Sequence, residues 1–442
     1  MNLRHLLDRL RDSLLYVPAS FILGSLVLAW VANWLDQATG TGDIFFILPT
    51  SVEAGRTLLG TVAGATITVA ALVFSITAVT VQLSATQYSP RVLQGFLQDR
   101  FEQIVVGIVM GTFTYALVAL ATAGTADLGA DMAHASFAAT IGLALGVISA
   151  LAIVAFIDHV TRRIRVDDTI RRLTGATTRS IESSFERSSS ETTSVDGWEI
   201  EHTLRPVRVH ASRSGWTQQI RPQVLLDGLP PDAVARIDIS VGDYVAKGDP
   251  LLSVWMADQG DGPDVDALGR RAIGLGEART IDDDPRFGIR QLVDIALRAL
   301  SPGINDPATA ADVVRHLIEP VRAAVDARPS PRVHHAENGT RVVLPAQPSP
   351  KDYVHLGFGE IRLVAGDQPL VLKALADSLA KLWRDLDDDE TSNNTSVAIK
   401  TELELVSEAA RKGGFADVDR APILEVLTAL GIDGDAEPRG SG

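Results

Sequence analysis

The chain has 442 residues, no cysteine, and 40 Lys and Arg against 55 Asp and Glu, for a net charge of −15. It therefore holds no disulfide framework, thiolate nucleophile or zinc–sulfur site, and its acidity argues against nucleic acid, whose phosphates require clustered Lys and Arg. A 46% hydrophobic share beside that charge implies segregation: the long apolar runs nearly all precede Asp158, and the Asp-rich stretches follow it.

Four segments, 17–35, 58–83, 104–123 and 137–157, carry no Asp, Glu, Lys or Arg and reach the roughly 20 apolar residues that a spanning helix needs. They are apolar or small almost all round, unlike the two-faced helices of a soluble core, and in lipid only a helix satisfies the backbone of such runs. The first ends in Trp30, Asn33 and Trp34 without a small-residue cleavage site, which marks a retained anchor. Arg4, Arg9 and Arg11, then Arg91 and Arg100, then Arg162, Arg163, Arg165, Arg171 and Arg172 fall on one side of the four crossings. The positive-inside rule makes that side, and both termini, cytoplasmic.

The second segment has an internal pattern. Steps of four and three residues pick out Thr57, Thr61, Gly64, Thr68, Ala71, Ser75, Ala78 and Gln82, all small or polar. This heptad spacing holds them on one seam of the helix. Two readings follow: a seam for close helix packing, or the hydroxyl-rich wall of a narrow pore around which copies assemble. No ionisable residue lies within the four segments, which sets aside most proton relays and ion-coupled carriers. Asp36, Asp43, Glu53, Asp127 and Asp131 belong to the outer loops, where they raise the local cation concentration or are simply solvated.

Beyond the fourth segment the expected course is a charged helical extension to about Arg187 and a polar connector over 188–195. Then comes a β-rich module. Ile237, Ile239 and Val241 alternate with polar residues along a strand. Gly242-Asp243 and Lys247-Gly248-Asp249-Pro250 turn the chain on either side of Val245. This VGDYVAKGDPL hairpin resembles the turn of the biotinyl/lipoyl-like barrel-sandwich domains. The carrier lysine of those domains has no counterpart here, so the resemblance implies a structural or ligand-sensing module, with Lys247 solvated.

The next patterned stretch reads as helix, tight turn, helix. Ile289, Leu292, Val293, Ala296 and Leu300 form an apolar face, while Arg290, Asp294 and Arg298 step along the opposite side. Pro302 and Gly303 stop the first helix; Asp306 caps the second, with Pro307 in its first position. Ser301, Asn305 and Asp306 either build this turn or contact a small ligand or neighbouring subunit. Residues 66–93 (TITVAALVFSITAVTVQLSATQYSPRVL) and 287–310 (FGIRQLVDIALRALSPGINDPATA) together resemble DUF2254, a bacterial family of predicted membrane proteins. That resemblance brings no activity, cofactor or catalytic residue; it implies that the membrane and soluble halves work as one.

The remainder reads as helices around Gly366, with a Pro-rich solvated loop over 327–351 holding His334 and His335, and an acidic loop over 387–394. No catalytic triad order, HExxH, P-loop or GxGxxG occurs, so neither an enzyme nor a metal or cofactor site is expected. The predicted fold is an α-helical bundle of four transmembrane helices with a cytoplasmic α+β region, a small β barrel-sandwich-like module plus a helical domain. Its divisions are 1–165 transmembrane, 166–205 extension and connector, 206–275 β module, 276–432 helical domain and 433–442 disordered tail. The expected function is an oligomeric, inner-membrane channel or channel-like transporter for a small ion or solute. The alternative is a non-conducting scaffold or sensor that recruits a cytoplasmic partner.

Overall fold

A computed structural model of the chain describes residues 16–39, 49–50, 52–87, 100–122, 134–135, 137–163, 166–186, 205–256, 263–327, 332–386 and 390–432. The connector expected at 188–195, the tail at 433–442, and Arg4, Arg9, Arg11 and Arg91 lie outside these. The chain divides into two compact units, Met1–Val166 and Asp167–Gly442.

The first unit holds α1 (Tyr16–Thr39), β1 (Pro49–Thr50), α2 (Val52–Gln87), α3 (Arg100–Thr122), β2 (His134–Ala135) and α4 (Phe137–Arg163). All four helices are long and apolar enough to cross a membrane. Small residues let them approach. A side chain on Gly107 or Gly111 of α3 would meet Phe21 and Ser25 of α1, its Cβ 2.7 Å from the Phe21 ring and 2.8 Å from Ser25 Oγ. Gly142 and Gly146 of α4 lie likewise against Leu59 and Val62 of α2. Both pairs have the four-residue spacing that brings membrane helices together. Between α3 and α4, Ser149 Oγ donates to Thr112 Oγ1 at 2.9 Å, while Thr112 donates to Ile108 O in its own helix.

The loop ends of the bundle are tied together. Pro49 and Thr50 pair antiparallel with Ala135 and His134. The Asp36 carboxylate accepts from Phe137 N at 2.6 Å and Ala138 N at 3.1 Å, so a residue of α1 caps the start of α4. Asp36, expected among the solvated loop acids, is thus part of the frame.

In the second unit α5 (Val166–Glu186) replaces the exposed extension expected there: Ile170, Thr177 and Ile181 are fully buried. Gly288 lies against Thr177, and Ser180 Oγ shares its hydrogen between the carbonyls of Ile281 and Asp282. The apolar face of this helix therefore docks on the rest of the second unit.

Next follow β3 (Val207–His210), β4 (Gly215–Ile220), α6 (Pro222–Gly228), β5 (Val234–Ile237), β6 (Tyr244–Val245), β7 (Pro250–Trp255), α7 (Val265–Ala272) and β8 (Ile273–Gly276). Farther along the chain lie α8 (Pro285–Ala299), α9 (Pro307–Asp326), β9 (Val333–His335) and β10 (Arg341–Val343). The strands make one sheet in the order β3-β7-β5-β10-β9 and another in the order β6-β4-β8. Val209, Ile237, Leu252, Val254 and Ile273 belong to a shared core. Neither sheet closes into a barrel among the described residues. β5 and β7 pair with each other, but β6 between them pairs with β4 of the other sheet. The two Gly-Asp turns make that crossing: Gly242 and Gly248 have φ of 88° and 96°, and Asp243 and Asp249 brace Ser240 N and Ala246 N. Strands β9 and β10 fall in the segment expected to be a Pro-rich loop; β10 enters the sheet by parallel pairing with β5.

The helical part continues with α10 (Pro350–Val354), a π-helical turn (His355–Gly359), α11 (Glu360–Val364), α12 (Pro369–Arg384), α13 (Glu390–Lys412) and α14 (Asp417–Thr428). The expected break at Gly366 separates α11 from α12. Helix α13 begins inside the segment expected to be an acidic loop.

Candidate functional site

All eight seam residues of α2 (Thr57, Thr61, Gly64, Thr68, Ala71, Ser75, Ala78 and Gln82) are exposed. The bundle instead buries Leu59, Ala63, Thr66, Ala70, Val73 and Thr80. The two sets share one period but sit two residues apart, roughly 200° around a helix, which places them on opposite faces. Apart from the adjoining backbone of α2, no atom of the described residues comes within 4 Å of a Cβ built at Gly60 or Gly64, whereas Gly107, Gly111, Gly142 and Gly146 all have close neighbours. α2 therefore packs within the chain through one face, and the seam lies on the other.

The seam hydroxyls are oriented along their own helix. Thr57 donates to Glu53 O at 2.9 Å, Thr61 to Thr57 O at 2.7 Å, and Thr68 to Gly64 O at 2.9 Å. With each hydrogen committed one turn back, the oxygens keep acceptor lone pairs for whatever lies outside. Such a column suits water or a cation better than an anion. Beside it Ile67, Leu72, Phe74 and Val79 are exposed apolar side chains suited to lipid.

The turn between α8 and α9 is closed by its own hydrogen bonds. Ser301 Oγ donates to Arg298 O, Asn305 N to Ser301 O, and Asp306 N to Ala299 O. Asn305 takes the left-handed conformation, φ 49°, which Asn tolerates better than most residues. Asp306 caps α9, accepting from Thr309 N at 3.1 Å and Thr309 Oγ1 at 2.6 Å. The Thr309 hydroxyl and then its N–H hold the Asp306 carboxyl below its usual 3.8. The cap's stabilisation is thus complete above that value and is lost as pH falls through and below it. Asp306→Ala should lower stability by about 1 kcal/mol. Asp306→Asn should keep most of the cap but abolish its acid sensitivity. Melting curves at neutral and acid pH test both; an Asp306→Ala variant of unchanged stability would remove the capping account.

On the preceding helix, Ile289, Leu292, Val293 and Ala296 are fully buried, and Arg290 Nε pairs with Asp294 at 2.9 Å while its guanidinium also bonds Glu360. His334 and His335 are neighbours in β9, so their side chains leave opposite faces. Among the described residues no three His, Asp or Glu side chains converge as a metal site would require. The close-packed glycine pairs of α3 and α4 were readable as four-residue spacings in the sequence; the Asp36 cap had no local signal.

Residues 11–381 match the family described as Predicted membrane protein (DUF2254). Similar chains include Uncharacterized protein Rv1290c of Mycobacterium tuberculosis and Uncharacterized protein Mb1321c of Mycobacterium bovis. Each is 30% identical over 425 residues, covering 95% of this chain and 80% of the relative. No solved structure matches the chain.

Proposed function

This chain belongs to the DUF2254 family of predicted membrane proteins, and we propose that its copies assemble through α2 into a channel-like path for a small cation or polar solute. The observation that carries this reading is the exposure of the whole Thr57–Gln82 seam on the face that the chain's own helices leave uncovered. Glycine, alanine and threonine gain little from facing lipid; they gain from a close-packed neighbour. The outward acceptor oxygens favour water or a cation along the same line. In this reading the second unit gates or senses, no chemistry is catalysed, and the assembly sits in the inner membrane with both termini cytoplasmic. The grouping of Arg91, Arg100, Arg162 and Arg163 on one side supports that orientation.

One specific feature favours a second reading. Gly64, Ala71 and Ala78 alternate with the hydroxyls and equally suit a dry interface, which would make the assembly a non-conducting scaffold.

A cysteine scan separates them, since the chain has none of its own. In the purified oligomer, Cys at Thr61, Thr68 or Ser75 should react with small water-soluble thiol reagents, and Cys at Leu72 or Val79 should not. Thr68→Leu should abolish conductance in planar bilayers while the oligomer persists, because an apolar constriction resists wetting. In intact cells, Cys at Gly42 and Ala130 should label from outside and Cys at Gln94 should not. A stable oligomer with an unreactive seam would leave the scaffold; a monomeric protein would leave neither.

A further inference from the structure

Within the second unit, six elements converge on a cleft of about 270 Å³. Its walls are mostly apolar, including Ile220, Val241, Leu344, Pro285 and Pro345. Arg286 of α8, His334 of β9 and Tyr353 of α10 also line it. We propose that this cleft binds a small organic carboxylate with a compact apolar body, and that the carboxylate is taken by Arg286 and Tyr353. The proposal does not rest on the assembly of α2.

Tyr353 is the first observation. The residue is 6% exposed and lines the cleft, and no group among the described residues bonds its hydroxyl. The ring is packed while the hydroxyl opens onto the cleft, free to donate to a ligand that enters it. Burial pushes the phenol up to about 12, so at neutral pH it is protonated and can donate.

Arg286 is the second. One of its Nη atoms donates to Val241 O at 2.7 Å, and its Nε lies 3.8 Å from Asp284, which together fix the guanidinium and leave further donors. Asp284 does not claim those donors. Its carboxylate is held by Arg279 at 2.6 Å and 2.8 Å, and it caps Phe287 N at 3.3 Å. Gly242 makes this possible: a Cβ there would collide with the Asp284 carboxylate.

His334, third, is held below its usual 6.5 by burial and then by neighbouring His335, so at neutral pH its ring adds a hydrogen bond and no charge. Three donors among apolar walls describe a ligand with acceptor oxygens on an apolar body. Asp283, the other acid of the lining, disfavours a second negative charge. A monoanionic carboxylate therefore fits better than a phosphate.

The experiment uses the full-length protein in detergent and matched probes: hexanoate against hexanol, benzoate against benzyl alcohol, and inorganic phosphate. Titration calorimetry should show the two carboxylates binding and each alcohol at least about tenfold weaker, the loss expected for a charge-assisted bond. Arg286→Gln should weaken hexanoate by a similar factor. Tyr353→Phe should weaken it several-fold while leaving the unliganded melting temperature unchanged, because the hydroxyl it removes has no partner. That second variant keeps the test decisive if Arg286→Gln folds poorly. Alcohols binding as well as acids, phosphate binding more tightly than either acid, no binding of either carboxylate, or full affinity in Tyr353→Phe would each overturn the assignment.

Discussion

Leucine at Gly111 should cost the membrane unit about 3 kcal/mol, at the upper end of ordinary overpacking, whereas leucine at Gly64 should leave the fold of a single copy intact. A Cβ at Gly111 would lie 2.8 Å from Ser25 Oγ and 3.3 Å from the Phe21 carbonyl oxygen. The second of these is backbone, so no rotamer change relieves the contact, and α1 must move away from α3. Gly64 has the same chemistry and belongs to the same spacing pattern with Gly60, but beyond the adjoining backbone of α2 nothing among the described residues lies within 4 Å of a Cβ built there. Thermal denaturation in detergent reads the first effect, and sedimentation or mass photometry reads the second as a change of association alone. Equal damage from both substitutions would mean that Gly64 is needed within one copy. The interface assigned to α2 would then lose its basis.

The membrane half was legible because composition settles it: uncharged runs of spanning length have one backbone solution in lipid. The α2 seam was legible as a period, and α8, the turn and α9 as caps and stops, because each signal is confined to a few adjacent residues. Asp306 with Pro307 needs no distant partner to be read as a helix start. The opposite holds for what escaped. Asp36 caps Phe137 from 101 residues away, and as sequence it is one acid in a loop. β10 was masked by the prolines around it; it is a strand because Val234–Ile237 offers it an edge. α5 carries charges that suggest a solvated extension, and only the docking of Thr177 and Ser180 reveals its buried face. Arg286, His334 and Tyr353 lie on three elements that nothing in the local pattern connects.

Glu402 should prove the most costly single charge in the second unit. It lies on α13, 4% exposed, and accepts from Arg362 Nε of α11 at 2.9 Å. Arg362 is itself only 9% exposed. The second carboxylate oxygen faces His355 Nδ1 at 3.0 Å, in the π-helical turn. Since a carboxylate only accepts, that ring must donate from Nδ1. The set meets at the π turn, where a Cβ on Gly359 would stand 2.9 Å from the exposed His355 ring and push it aside. Glu402→Gln keeps the volume but leaves a buried guanidinium without its counter-charge. Breaking one side of such a pair costs about 3–5 kcal/mol, a large share of the roughly 5–15 kcal/mol that holds a domain folded. Replacing both partners, Glu402→Leu with Arg362→Met, should recover most of that loss, because no unpaired charge remains. His355→Gln removes only the exposed partner and should cost about 1 kcal/mol. Denaturant unfolding of the three variants measures these losses directly. A Glu402→Gln variant within about 1 kcal/mol of the parent would show that water reaches Arg362, and that α11 and α13 are held together by their apolar contacts alone.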